Sequence, residues 1–279
     1  MKEEEKDNYK KAFSTVITIF GGTATTALTG DPFSGMVLGN FLTEMLSMQS
    51  KVKQDRVFKF FELLERDLKI LTDSYDLSKI DKTTTWDLVE LAMVKASRNN
   101  NEERIKRLKN IIKNQIIEPT EFDYVEKFLN LAGSLTDSQV LVLGHFVESQ
   151  KELNTLFKNL GELNTEKEKH TSQREDAFAK AKKLGEQDLP KIEKMYFDIQ
   201  FDNNSKSVSE NNQRVQNIFN ERESILLNFN PDMKEFMEAE LVSMGLIFNP
   251  SAGRISDTGE FKNNRPTGLA IKFIEYLKD

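Results

Sequence analysis

Large apolar residues recur at intervals of three and four along most of this chain, and that spacing is typical of amphipathic α-helices. The segment RVFKFFELLERDLKIL is the clearest case, because its apolar side consists of Val57, Phe60, Phe61, Leu64, Leu68 and Leu71. The 279 residues include only 6 prolines and 13 glycines, so few positions interrupt a helix. With 38% hydrophobic residues the chain can bury a core. We therefore predict a mainly α fold, a helical bundle.

An uncharged segment near the N-terminus departs from the rest of the chain, in which 30% of residues are charged. No charge occurs from residue 12 to residue 30, and the apolar residues there have helical spacing. GDPFSG then predicts a break, with Pro32 at the first position of a second helix that ends near Ser50. The positions that define this predicted hairpin, residues 12–50, are Phe13, Val16, Ile17, Phe20, Gly22, Gly35, Val37, Gly39 and Phe41.

Two interpretations of this hairpin stay open. In the first, it is buried in the bundle, and its glycines let the helix backbones approach closely. In the second, it is sheltered in the fold and, when released, associates with a membrane or with other copies of the chain. A single membrane-spanning helix is disfavoured because only nine of the nineteen residues 12–30 are apolar.

Helix boundaries and faces can be predicted in the middle of the chain. In DKTTTWDLVELAMVKASR we expect Thr85 to be the N-cap, and in GSLTDSQ we expect Thr136 to cap a helix whose dipole Asp137 complements. NEERIKRLKNIIKNQI predicts a buried stripe of isoleucine and leucine beneath a basic outer face.

The second half of the chain predicts two further parts. From Gln150 to Leu227 the sequence is strongly charged, and we expect an exposed, partly coiled-coil helical hairpin, broken near Pro190 and again around FDNNSKS. The last fifty residues predict a helix from Pro231 to Met244 ending at Gly245, short strands in LIFN and GRISD, and a final helix in PTGLAIKFIEYL. That order is typical of a small winged-helix-like unit.

Motifs of known chemistry are missing from the sequence. No lysine follows the glycines of GGTATTALTG as in a phosphate-binding loop, and His145 and His170 lack carboxylates at metal-ligand spacing. There is no cysteine, which fits a reducing cytoplasm. We predict no catalytic residue, no cofactor, no metal site and no small-molecule substrate, with an unrecognised enzyme as the third hypothesis for function.

Nucleic-acid binding through the winged-helix-like unit is the second hypothesis. Its contact residues would be Arg254, Lys262 and Arg265. The chain carries a formal net charge of −6, and acidic residues balance the basic ones in this unit. Because phosphate contact requires an excess of lysine and arginine, we expect such binding to be weak.

Three segments together resemble the Abi-alpha family of helical bacterial proteins associated with abortive infection. They are the hairpin leading into KQDRVFKFFELLE, then FLNLAGSLTDSQVLVLGHF, and finally LVSMGLI followed by TGLAIKFIEYL. The resemblance covers residues 15–148 and 230–279, which makes the intervening segment an insertion. It implies a helical fold and a role in phage defence, and it carries no catalytic residue over to this chain.

We therefore predict three parts: a bundle with the uncharged hairpin (1–149), a charged helical arm (150–229) and a winged-helix-like unit (230–279). The leading functional hypothesis is a non-enzymatic bacterial phage-defence or stress protein. It would act by association with protein, with itself or with a membrane. We expect it in the cytoplasm or at the periphery of the inner membrane.

Overall fold

The computed structural model describes residue 16 and residues 50–72, 75, 81–183, 191–250 and 261–278. Most of them are helical, which confirms the prediction of a mainly α bundle. In chain order the helices are α1 (Lys51–Thr72), α2 (Lys82–Arg98), α3 (Glu102–Ile117), α4 (Phe122–Ser134), α5 (Asp137–Lys183), α6 (Lys191–Leu226), α7 (Pro231–Ser243) and α8 (Gly268–Tyr276). Two short strands, β1 (Ile247–Phe248) and β2 (Arg265–Pro266), and a 3₁₀ turn (Phe261–Asn263) lie between α7 and α8.

The chain divides into two compact units. The first consists of residues 1–140 and 272–279, and the second of residues 141–271. The second unit therefore holds the whole of the predicted arm together with α7, both strands and the 3₁₀ turn.

The first unit is built on helices α1 to α4. Helix α1 packs against α2 and α3, α2 packs against α3 and α4, and α3 packs against α4. The predicted stripe of α3 is buried as expected, and it consists of Ile105, Leu108, Ile111, Ile112 and Ile116. The predicted basic outer face of α3 is only partly correct. Lys109 is 3% exposed at its side chain and pairs with Asp67 of α1, while Arg107 pairs with Asp137.

Side chains close in the sequence cap the N-termini of α2 and α5. Asp81 caps α2 by accepting a hydrogen bond from the Thr84 backbone N–H, so the prediction that Thr85 is the cap is wrong. Thr85 is buried inside the helix. The prediction for Thr136 is confirmed, because its hydroxyl accepts from the Gln139 N–H while the Gln139 side chain accepts from the Thr136 N–H. This reciprocal pair is a capping box.

The end of α8 completes the core of the first unit. Phe273 and Tyr276 lie against Phe128 of α4, with ring centroids 5.9 Å and 5.1 Å away. Two asparagines of α3 donate to carbonyl groups at the C-terminus, Asn110 to residue 277 and Asn114 to residues 276 and 278. These bonds satisfy carbonyl groups that a helix end leaves without partners.

In the second unit, α5 and α6 run antiparallel, and Glu152 pairs with Arg214 at 2.6 Å between them. Helix α6 is continuous through FDNNSKS (201–207), so the break predicted there is wrong. Residues 184–190, which include Pro190, lie outside the described residues. Many of the less exposed positions in the paired parts of both helices alternate spacings of three and four, which is typical of a coiled-coil seam. They include Leu153, Leu156, Leu160, Leu163, Lys167 and His170 in α5 and Asn204, Val208, Asn211, Val215, Ile218 and Arg222 in α6.

Two of the signals that delimit α7 were predicted: Pro231 occupies its first position, and Gly245 follows its end with φ of +70°. Asn230, which was not predicted, caps its start. Strand β1 pairs antiparallel with β2, so that Phe248 is opposite Arg265. The predicted second strand, GRISD, lies outside the described residues.

The predicted N-terminal hairpin also lies outside the described residues, except for Val16, which is helical and fully buried. Across the described part of the chain, no helix combines the length and the apolar content that crossing a bilayer requires.

Candidate functional site

Helix α7 carries apolar side chains on its buried and its exposed sides. Met237 and Leu241 are buried in the second unit. On the other side, Met233, Phe236 and Val242 are 48%, 57% and 46% exposed. Together with the exposed Ala239 they are spaced every third residue, which places them in one continuous row that crosses the exposed surface diagonally. We call this row of Met233, Phe236, Ala239 and Val242 the α7 ridge.

Carboxylates border the α7 ridge. Asp232 and Glu240 lie four residues before and after Phe236, and Glu235 lies four residues before Ala239. Side chains four residues apart are neighbours on a helix, so each carboxylate is next to an apolar side chain of the ridge. Helix α7 has four carboxylates and one lysine, Lys234, in total. Carboxylates therefore lie on both sides of the apolar row.

The opposite side of α7 is attached to the segment that leads into α8. The fully buried Asn264 donates from Nδ2 to Oε1 of Glu238 at 2.6 Å. The Thr267 hydroxyl donates to the Gly245 carbonyl at 2.8 Å, and the Thr267 N–H donates to the Leu246 carbonyl at 2.9 Å. These contacts hold the buried side of α7 inward, and the ridge faces outward as a result.

Arg222 of α6 in turn holds the segment that contains Asn264. Its guanidinium, fully buried, donates to the carbonyl groups of Lys262 at 3.3 Å and Asn264 at 3.1 Å. On α5 it donates to the Ser149 hydroxyl at 2.7 Å and the Gln150 side-chain oxygen at 3.3 Å. A fifth bond, of 3.1 Å, goes to the Phe146 carbonyl of α5. These five hydrogen bonds to neutral acceptors use all five N–H donors of the arginine side chain.

Burial lowers the pKa of Arg222 to about 10, and the positive charge of Arg265 contributes to the same shift. The group still carries its charge at neutral pH. Because its acceptors are neutral, hydrogen bonds and the face of the Phe146 ring, 4.7 Å from the guanidinium carbon, compensate the desolvation of that charge. The role of Arg222 was not predicted from the sequence. Its signal was an arginine at a seam position of α6, four residues after Ile218 and four before Leu226.

Of the residues predicted for nucleic-acid contact, the structure describes Lys262 and Arg265. Lys262 pairs with Glu223 at 2.7 Å. Arg265 is exposed on β2, and Arg254 lies outside the described residues. Of the hairpin positions predicted for membrane or partner contact, Val16 is buried, and the other eight lie outside the described residues.

A cleft and a histidine also place polar groups in partly enclosed surroundings within the described residues. The cleft, of about 290 Å³ in the first unit, is lined by Asn114, Ile117, Glu118, Pro119, Thr120, Lys272, Glu275 and Tyr276. There the Tyr276 hydroxyl donates to the Glu118 carbonyl at 2.6 Å, and burial raises the pKa of Tyr276. This geometry makes the phenol a structural donor.

The histidine is His145 of α5. Burial lowers the pKa of His145, with a further contribution from the charge of Arg222, and Glu221 and Glu148 act in the opposite direction. The part of the chain that the structure describes holds no cluster of His, Asp and Glu side chains suited to a metal ion. Among the described residues, the α7 ridge brings three exposed large apolar side chains, Met233, Phe236 and Val242, together on one short helix.

Comparison of the chain with models of protein families, with curated proteins and with solved structures gives no match.

Proposed function

We propose that this chain is a non-enzymatic bacterial phage-defence or stress protein that acts by binding another protein through the α7 ridge. The observation that carries the proposal is the exposure of Met233, Phe236 and Val242 on one short helix. Exposed apolar side chains grouped together and bordered by polar ones are typical of protein-binding surfaces. The defence role is supported by the sequence resemblance to the Abi-alpha family.

The anchoring of α7 supports a binding surface of defined shape. Met237 and Leu241 bury one side of the helix, and Glu238 is bonded to the buried Asn264. A surface held in place before binding loses little conformational entropy when a partner arrives. The ridge therefore has the rigidity that a specific interface needs.

The charge on α7 favours protein over nucleic acid as the partner. In a winged-helix arrangement the helix before the strand pair faces DNA, and α7 occupies that place in the chain. Its exposed side carries Asp232 and Glu235, which would repel phosphate groups. In this proposal α7 and the two strands serve protein contact.

The test is a plaque assay on bacteria that express the full chain, challenged with a panel of phages. We expect at least a tenfold drop in plaque number for one or more phages, and loss of that protection in Phe236→Asp. Phe157→Asp is the matched control, since Phe157 is 41% exposed on a different helix, α5. Thermal melts establish that both variants fold. Protection that survives Phe236→Asp, or no protection against any phage, would overturn the proposal.

A further inference from the structure

We infer that the α7 ridge binds a basic amphipathic α-helix of another protein. The inference rests on the proposed function and adds the chemistry of the partner. It is drawn from three properties of the described residues: the shape of the ridge, its length, and the sign of the charges beside it.

The shape of the ridge fits another helix. Met233, Phe236, Ala239 and Val242 are spaced every third residue, and rows of this kind pack into the grooves between side-chain rows of a facing helix. Helix α7 has 13 residues, a length of about 20 Å at 1.5 Å per residue. A partner helix of about four turns covers that length. Its apolar side chains would lie on both sides of Phe236, the largest side chain of the ridge.

The charges beside the ridge select a basic partner. Asp232 and Glu235 are exposed next to the apolar row, and Glu240 lies on the other side of Phe236. A partner helix with lysine or arginine flanking its apolar stripe brings opposite charges together at the margins of the interface, where they direct binding and orientation. An acidic helix of the same apolar content meets like charges instead.

The same charges disfavour a second copy of the chain as the occupant. In a two-fold symmetric dimer the same surface of both copies is in contact. The carboxylates of one α7 would then approach those of the other, and like charges in contact are destabilising. The acidic margin thus distinguishes a foreign basic helix from self-association.

The experiment measures fluorescence anisotropy of two labelled 18-residue helical peptides, one of leucine and lysine and one of leucine and glutamate in the same pattern, titrated with the full chain. We expect the lysine peptide to bind at least tenfold more tightly than the glutamate peptide. Phe236→Asp should weaken binding of the lysine peptide about tenfold. Sedimentation velocity and thermal melts of each variant accompany the titrations.

A pair of matched variants separates the local charge on α7 from the overall charge of the protein. The first is the double variant Asp232→Asn with Glu235→Lys. It should weaken binding of the lysine peptide about fivefold or more. The second is the double variant Asp176→Asn with Glu166→Lys, which makes the same replacements at exposed positions of α5. Its affinity for the lysine peptide should stay within about twofold of that of the parent chain. Equal losses in both variants would attribute binding to net charge and overturn the inference.

Three other results would also overturn it. They are equal affinity for the two peptides, no effect of Phe236→Asp on peptide binding, and a dimer of the parent chain that Phe236→Asp dissociates. If phage protection depends on Phe236 and neither peptide binds, the inference fails and the proposed function stands. If Phe236→Asp changes neither protection nor peptide binding, both fail.

Discussion

Arg222 contacts Phe146 in two ways. Its Nη2 donates to the Phe146 carbonyl at 3.1 Å, and its guanidinium carbon lies 4.7 Å from the centre of the Phe146 ring. The Phe146 ring also contacts Phe261 of the 3₁₀ turn, at 5.5 Å between ring centroids. One arginine and one phenylalanine thus connect α5, α6 and the segment that attaches to α7. The position of the ridge depends on this connection.

We expect Arg222→Ala to destabilise the second unit strongly. The substitution leaves buried acceptors on Ser149, Lys262 and Asn264 without their donor, and the expected loss is roughly 3–5 kcal/mol in the free energy of unfolding. Urea denaturation measures it. Arg214→Ala is the matched control, because Arg214 pairs with Glu152 on the exposed side of the same helix and its removal should cost much less. Equal losses for the two variants would contradict the role assigned to Arg222.

Removal of only the distal part of the arm should leave a cooperative unfolding transition. Replacing residues 164–203 by a short glycine-serine linker retains the Glu152–Arg214 pair and the bonds of Arg222. The side chains described between 164 and 183 are exposed or half-buried, so little core is lost. Thermal melts followed by circular dichroism measure the outcome. Deletion of 150–227 serves as the contrast, since it also removes Arg222. A shortened arm that melts without cooperativity would contradict this prediction.

Acidification below about pH 6.5 should destabilise the fold through His145, whose pKa is lowered from 6.5 by burial and by Arg222. Between the lowered pKa and 6.5 the unfolded chain binds a proton that the folded chain does not, so stability falls as pH falls. The Nε2 atom of His145 has no hydrogen-bond partner among the described residues, which agrees with a neutral ring.

The measurement for His145 is an NMR titration of its imidazole resonances, assigned with His145→Gln, together with urea denaturation at pH 7.5 and pH 5.5. The variant should lose less stability than the parent between these pH values. Because the chain has only two histidines, His170→Gln is the natural control. An imidazole of His145 that titrates above 6.5 would refute the prediction.

Val16→Asp should destabilise the first unit by several kcal/mol, about the cost of burying an unpaired carboxylate. Val16 is fully buried, and it belongs to the apolar pattern of the predicted hairpin. Thr25→Asp is the comparison, because the sequence places Thr25 on the polar side of the same predicted helix. Chemical denaturation measures stability, and liposome flotation measures membrane association. A Val16→Asp variant as stable as the parent would count against burial of the hairpin.

Duplex DNA should bind the full chain more weakly than micromolar, even at low salt. Lys262 is paired with Glu223, and α7 presents carboxylates. Fluorescence anisotropy at two salt concentrations measures DNA binding by the parent chain and by the variant Arg265→Ala. Tight binding that falls steeply with salt and is lost in Arg265→Ala would favour the nucleic-acid hypothesis.

Several features of this fold were determined by residues close together in the sequence. The stripe from Ile105 to Ile116 is buried because its spacing puts these side chains on one side of a helix. The caps at Thr136 and Gly245 depend on bonds and backbone angles within a few residues. The error at Thr85 was local too, since Asp81, three residues before Thr84, offered a stronger acceptor for the first turn.

Other features depend on contacts between distant segments. Helix α6 continues through FDNNSKS, although asparagine and serine favour turns. The helix reaches seam positions on both sides of this segment's last residues, and the apolar Val208 is half-buried there. The sequence placed Arg222 in a charged arm. Only the tertiary structure brought five neutral acceptors from α5 and the 262–264 segment around it, and a buried cation is stable only where such acceptors converge.

In the α7 ridge, too, the local sequence determined one feature and the tertiary structure another. The sequence determined that residues 231–243 form a helix, through Asn230, Pro231 and Gly245. Because apolar residues occur on every side of this helix, their pattern could not determine which side is buried. Packing of Met237 and Leu241, together with the bond from Asn264 to Glu238, decided that Phe236 faces solvent. The tertiary structure decides which side of α7 is buried, because the buried side is the one that packs against residues from elsewhere in the chain.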